Sequence, residues 1–240
     1  MAQVQTKAIV LSSLKYSDTS LIVKCFTLKD GLKTYLLKGI LSSRKKKINA
    51  AYFQPLSQLI IEANHNSKGS LNSIKEVRIH NPYTTIPNQI FKQSIVLFLS
   101  EILSNTIQEE EANESLFVFV ETALLWLDTH DDVSNFHLLF LIKLTKYLGF
   151  YPDTTNTNYN YFTLRQGVFV NTLIDKTTIS KHDLFLFKKL LGINFEDMNT
   201  ITFNKSERQQ IIKVIIRYFE LHLTGFRRPK SLHVLEAVFS

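Results

Sequence analysis

The densest chemistry in this 240-residue chain is cationic. One segment reads Lys33-Thr34-Tyr35-Leu36-Leu37-Lys38, and a short way on comes the run Arg44-Lys45-Lys46-Lys47. Lys and Arg side chains at this density suit phosphate oxygens, because neutralising a nucleic-acid backbone releases its condensed counterions. Lys24 adds a further strand cation. Tyr35, with Tyr52 and Phe53 close in sequence, offers aromatic faces on which bases stack, although Phe53 reads better as core. A second basic element lies near the C-terminus: Arg217, then Arg227, Arg228 and Lys230 around Pro229. Favourable charge at a helix C-terminus accounts for some of these, but not for Arg217, which lies inside its helix. The expected DNA-binding set is therefore Lys24, Lys33, Tyr35, Lys38, Arg44, Lys45, Lys46, Lys47, Arg217, Arg227, Arg228 and Lys230.

Catalytic patterns are missing. The chain has no Gly-rich loop ending in Gly-Lys-Ser/Thr, no Gly-x-Ser-x-Gly and no His-Glu-x-x-His. His130-Asp131-Asp132 and Glu109-Glu110-Glu111 are the acidic clusters, and both read as solvated loop carboxylates. The single cysteine, Cys25, excludes an internal disulfide and a Cys-rich zinc site; inside Leu21-Ile22-Val23-Lys24-Cys25-Phe26 it reads as a small core residue. The expectation is no catalytic residue, no metal and no cofactor.

Charge is segregated along the chain. Residues 1–80 carry 13 Lys and Arg against 4 Asp and Glu, residues 93–142 carry 9 acids and no Lys or Arg, and residues 143–240 carry 14 cations against 8 acids. Segregation of this kind presents distinct surfaces to distinct partners. No apolar run reaches the length of roughly 18 residues that a membrane helix needs. The opening residues lack a signal-peptide core, so a cytoplasmic, nucleoid-associated protein is expected.

These residues need elements to position them. Val4, Thr6, Ala8 and Val10 alternate with Gln3, Gln5, Lys7 and Ile9, the period of a strand. Residues 20–27 and 32–38 read as strands joined at Lys29-Asp30-Gly31, a tight-hairpin signal. Residues 56–62 and 71–77 complete five short strands, which suits a small barrel, with an OB-fold as the leading choice. After Asn81-Pro82 the period becomes helical: Phe91, Ile95, Phe98, Leu99, Ile102 and Leu103 form one stripe, and Leu116, Val120, Leu124 and Leu127 a second, begun at Asn113. A third helix follows Ser134 and ends at Gly149, where a left-handed cap belongs. Residues 153–178 read as an irregular loop. Helices resume with capping boxes at Ser180–Asp183 and Ser206–Gln209. The predicted class is α+β: an N-terminal OB-fold β-barrel over 1–80, then an all-helical domain over 82–240.

Four stretches carry a resemblance to the RecO family of bacterial recombination mediators. They are Thr6-Lys7-Ala8-Ile9-Val10-Leu11; Tyr16 to Thr27 with Gly31 and Lys38-Gly39; Tyr147-Leu148-Gly149-Phe150-Tyr151-Pro152-Asp153; and Tyr218 to Leu232. Their order spans the chain. The resemblance implies binding of single- and double-stranded DNA and annealing of complementary strands without ATP hydrolysis. It also implies work with RecR and with the C-terminal tail of single-stranded-DNA-binding protein, to help load RecA during DNA repair. It places DNA contacts at Lys38, Arg44 to Lys47, Arg227, Arg228 and Lys230. The chain departs from the family at Thr154 to Phe162, where many members carry a four-cysteine zinc site and this sequence has neither Cys nor His; Tyr159, Tyr161 and Phe162 are expected to take the metal's place.

Two other readings compete. One is a protein adaptor whose helical domain receives an acidic peptide tail, with Lys143 and Lys146 as its cations and DNA binding secondary. The other is a nuclease using acids between 109 and 132.

Overall fold

β1 (Ala2–Lys15) organises the first part of the molecule. In the computed structural model, which describes residues 2–42, 48–66 and 71–239, this 14-residue strand is shared by two antiparallel ladders. Its N-terminal half pairs with β4 (Gln58–His65), and its C-terminal half with β2 (Leu21–Thr27). A register shift between Val10 and Ser12 lies where one ladder gives way to the other, as expected of a bulge that bends a strand. β3 (Gly31–Leu37) and β5 (Ser73–Asn81) add the outer strands, giving the order β3-β2-β1-β4-β5. The two edges meet at one parallel bridge, Tyr35 opposite Asn72. There Leu36 N–H donates to Asn72 O at 2.9 Å, and Asn72 N–H donates to Thr34 O at 3.0 Å. Strand order and edge meeting fit an OB-fold, although among the described residues no continuous ladder closes the barrel. Ala8, Val10, Val23, Cys25, Tyr35, Leu37, Leu59, Ile61 and Ala63 fill its interior.

By packing, the chain divides into two units, Met1–Thr129 and His130–Ser240. The change of period near residue 80 marks where strand gives way to helix, and the first unit also takes in α1 (Ile90–Thr106) and α2 (Glu114–Thr129). These helices cover part of the sheet's outer face. Phe26 packs against Phe117 with ring centroids 5.5 Å apart, Ser104 Oγ donates to Leu11 O, and Lys7 Nζ lies 3.0 Å from the Glu121 carboxylate. Phe91 departs from its expected stripe and is half exposed. Asn113 caps α2 as expected, its side chain accepting from Leu116 N–H.

Asp128, at the end of α2, fastens the chain where it leaves the sheet. Its carboxylate accepts the backbone N–H groups of Thr84, Thr85 and Ile86 at 2.8 to 2.9 Å. Burial works to raise its pKa, but these hydrogen bonds outweigh burial and hold it below the usual carboxylate range. Lys92, fully buried beneath, donates to Thr85 Oγ1 and to Asp128 O. One acid of the 93–142 segment is thus structural.

In the second unit α3 (Phe136–Tyr147) ends as expected at Gly149, with φ 83°. Residues 153–178 are not an irregular loop throughout. β6 (Tyr161–Thr163), β7 (Val168–Val170) and β8 (Thr178–Ser180) form a three-stranded sheet in the order β7-β6-β8, so this region is not wholly helical. α4 (Lys181–Lys188), α5 (Lys205–His222) and α6 (Leu232–Val238) follow. Both expected capping boxes are corrected. Asn204 and Glu207 form the box that starts α5, two residues before the expected one. Ser180 makes no side-chain cap bond, and Asp183 instead accepts from Gln210 at 2.6 Å. No helix among the described residues is long and apolar enough to cross a membrane.

Candidate nucleic-acid interface

Strand pairing decides which side chains of β1, β2 and β3 point outward. Lys24 stands opposite Ser12 on one side and Thr34 on the other; one row further, Ile22 stands opposite Leu14 and Leu36. Side chains alternate along a strand, so these six share the outer face, beyond the part that α1 and α2 cover. The row nearer the helices is polar and cationic. The next is apolar, with Leu14 63% exposed and Ile22 and Leu36 half-buried. Tyr16, also 63% exposed, and Lys38 follow two residues beyond Leu14 and Leu36. Gly39 N–H donates to Ser20 Oγ and Leu41 N–H to Thr19 O, tying the segment after β3 to the β1–β2 turn. Among the described residues, Lys24 and Lys38 have no ion-pair partner, and both are exposed. Beside them a cleft of about 550 Å³ opens where β3 and β5 diverge, lined by Leu36, Lys38, Ile40, Ile48, Leu71 and Ile74. Arg44, Lys45, Lys46 and Lys47 lie outside the described residues.

Two expected contacts on β3 point the other way. Tyr35 is fully buried inside the sheet, its hydroxyl 2.9 Å from His65 Nε2, so its ring has no face for a base; the expectation of stacking there is corrected. Burial also pushes its pKa up. Lys33 shares that inward parity at the end of the sheet, and its Nζ is 2.8 Å from the Glu110 carboxylate. His65 Nδ1 faces Asp30 at 3.3 Å, and burial lowers the His65 pKa against the pull of Asp30. This polar group plugs one end of the sheet. Cys25 is buried as expected, its thiol pushed up to about 12 by burial, which makes it inert. Phe53 is core; Tyr52 is half-buried.

The outer row of Leu14, Ile22 and Leu36, with Tyr16, is what sequence reasoning missed. Its signal was the alternation of residues 31–37, which sets Leu32, Thr34 and Leu36 against Lys33, Tyr35 and Leu37.

The C-terminal cations divide in the same way. Arg217 and Arg228 both pair with Glu220, whose carboxyl is held below its usual range first by the hydrogen bond from Arg228, with burial opposing. Arg227 and Lys230 are exposed on the segment after α5. Lys143 is half-buried, with Nζ 3.0 Å from Asn194 Oδ1 and its pKa lowered by burial; Lys146 is exposed on the same helix.

Residues Thr154 to Phe162 do not fit a zinc ion. They contain no thiol or imidazole, and the described residues hold no cluster of three His, Cys, Asp or Glu side chains that could bind a metal. Phe162 fills the centre instead, with ring centroids 4.9 Å from both Phe169 and Phe187. Tyr218 closes the cluster, and its hydroxyl donates to Phe150 O at 2.8 Å. Tyr159 and Tyr161 are half-buried at its rim.

A five-stranded antiparallel sheet whose open outer face mixes cations with apolar side chains, followed by a largely helical region, defines an α+β protein compatible with an OB-fold at its N-terminus. Comparison with known proteins makes this specific. The profile described as Recombination protein O N terminal matches residues 1–83, and that described as Recombination protein O C terminal matches residues 87–233. The chain belongs to the RecO family. A protein named DNA repair protein RecO from Flavobacterium johnsoniae is 52% identical over 239 residues, covering 99% of this chain and 100% of its own. Its namesake from Flavobacterium psychrophilum is 50% identical over 238 residues with the same coverage, and that from Bacteroides fragilis 36% identical over 239 residues, 98% of each chain.

Proposed function

We propose that this protein is a non-catalytic DNA-binding mediator of recombinational DNA repair. It anneals complementary strands without ATP and helps load RecA onto DNA coated by single-stranded-DNA-binding protein. The observation that carries the reading is the outer face of β1-β2-β3, where exposed Lys24 and Lys38 border the apolar row Leu14, Ile22 and Leu36. Phosphates bind to cations irrespective of sequence, and unstacked bases rest on apolar and aromatic side chains. The domain of residues 1–80 takes the first strand, and the run Arg44 to Lys47 extends its charge. Arg227 and Lys230, with Arg217 and Arg228 around Glu220, supply cations in the 82–240 domain. Family membership supports RecR and the acidic tail of single-stranded-DNA-binding protein as partners, with Lys143 and Lys146 as candidate contacts for that tail.

Annealing follows from the same physics. Cations that screen two like-charged strands lower the cost of bringing them together, and base pairing then needs no nucleotide. The test is annealing of complementary strands coated with single-stranded-DNA-binding protein, in the absence of ATP. The protein is expected to accelerate annealing. No acceleration over the coated strands alone would reject the reading.

A further inference from the structure

α4 carries a strip of side chains that the contacts proposed above do not use. Its inner face is apolar: Leu184, Leu186 and Phe187 are buried. Its outer face presents Lys181, His182 and Phe185, with Lys189 just beyond. His182, Phe185 and Lys189 recur at helical spacing and share one side, while Lys181, exposed at the first position, has a left-handed φ of 50°. Phe185 is 52% exposed, unusual for a phenylalanine in a unit with an ample aromatic core. Lys189 Nζ lies 4.5 Å from its ring centroid, a cation–π contact, and the His182 ring lies 6.3 Å away at an interplanar angle of 21°.

The neighbouring acids are already engaged. Asp183 accepts from Gln210 at 2.6 Å. Glu207 accepts from Asn204 N–H in the capping box of α5 and meets His182 at 3.6 Å. Lys188 is turned inward, donating to Tyr159 O at 2.9 Å. The strip's outward character is therefore a half-exposed aromatic ring with Lys189 over one face, Lys189 itself being half-buried with its Nζ also 5.7 Å from the Phe203 ring centroid.

We infer that this strip is a second site for single-stranded nucleic acid, in which one unpaired base stacks on Phe185 and the flanking phosphates meet Lys181 and Lys189. The inference rests on the DNA-binding reading above and extends it. An annealing protein gains from holding a base unstacked on each unit, and a base inside a duplex has no free face to offer Phe185.

The test compares the full-length protein with Phe185→Ala and Phe185→Trp, using a non-complementary single-stranded oligonucleotide and a blunt duplex. Phe185 is half exposed, so Phe185→Ala is expected to fold, which circular dichroism checks. Single-strand affinity should fall about tenfold in Phe185→Ala, within the range for loss of one base stack, and recover in Phe185→Trp. Duplex affinity should stay unchanged, and the new indole should be quenched when the oligonucleotide binds. Unchanged single-strand affinity in Phe185→Ala would overturn the inference and leave the sheet-face reading standing. So would equal losses for single strands and duplex, or an indole quenched by an acidic peptide but not by the oligonucleotide. No DNA binding by the unaltered protein would overturn both.

Discussion

Individual side chains in this protein are sorted by whether burial or water decides their chemistry. Lys24 and Lys33 are both strand cations, yet Lys24 faces solvent with no ion-pair partner among the described residues while Lys33 spends its charge on Glu110. His137 is the extreme case in the second unit. It is buried, and burial, reinforced by Arg208, pushes its pKa down from 6.5 to about 3. Its neutral form is therefore the folded form. Because the folded value lies below the unfolded one, the stability it permits is fully present above 6.5 and is lost as pH falls from 6.5 toward 3. Between about pH 6 and about pH 5, the protein should lose roughly 1 kcal/mol more stability than His137→Gln, for one extra proton taken up on unfolding. Urea unfolding at the two pH values checks this, and equal losses in the two proteins would show that His137 titrates normally.

At the scale of elements, the β2–β3 hairpin is a tightly constrained join. Gly31 has φ 62°, and a Cβ there would come within 2.3 Å of Glu111 O and 2.7 Å of Glu109 O. Leu32 N–H donates to Glu109 O at 2.9 Å. The acidic segment between α1 and α2 thus docks its backbone on the hairpin, and Glu110 reaches Lys33 from there. Gly31→Ala meets an unfavourable backbone conformation and a backbone clash together, and should destabilise the protein by on the order of 3 kcal/mol. Thermal unfolding measures this; a shift of no more than a degree would show that the segment moves away freely. The hairpin itself was legible, because Asp30-Gly31 between apolar runs carries its own turn signal. The five strands, the first three helices and the Asn113 and Gly149 caps were legible for similar local reasons. The small sheet of 161–180 was not, since strands of three residues are too short to show a period. Nor was the cap of α5, where Asn204 with Glu207 heads the box two residues before the expected Ser206. The site was legible as charge but not as direction: Lys33 and Tyr35 looked like contacts because they neighbour Lys38, while strand parity turns them inward.

Across the whole molecule, charged side chains divide between those that hold the fold and those that face solvent. Glu121 binds α2 to the sheet, Asp128 binds it to the segment after β5, and Glu110 holds the hairpin, so at least three acids of the negative segment serve the fold. Glu220 likewise occupies Arg217 and Arg228, whereas Lys24 and Lys38 on the outer face of β1-β2-β3 have no ion-pair partner among the described residues, which is why that face is the proposed place for a phosphate backbone. The salt dependence of single-strand binding tests that placement most directly. The unaltered protein is compared with Lys24→Ala/Lys38→Ala, and the slope of log affinity against log salt is measured for each. Two lost phosphate contacts should flatten the slope by about 1.4, at roughly 0.7 per charge on a single strand. Parallel lines for the two proteins would remove the sheet face from the DNA interface.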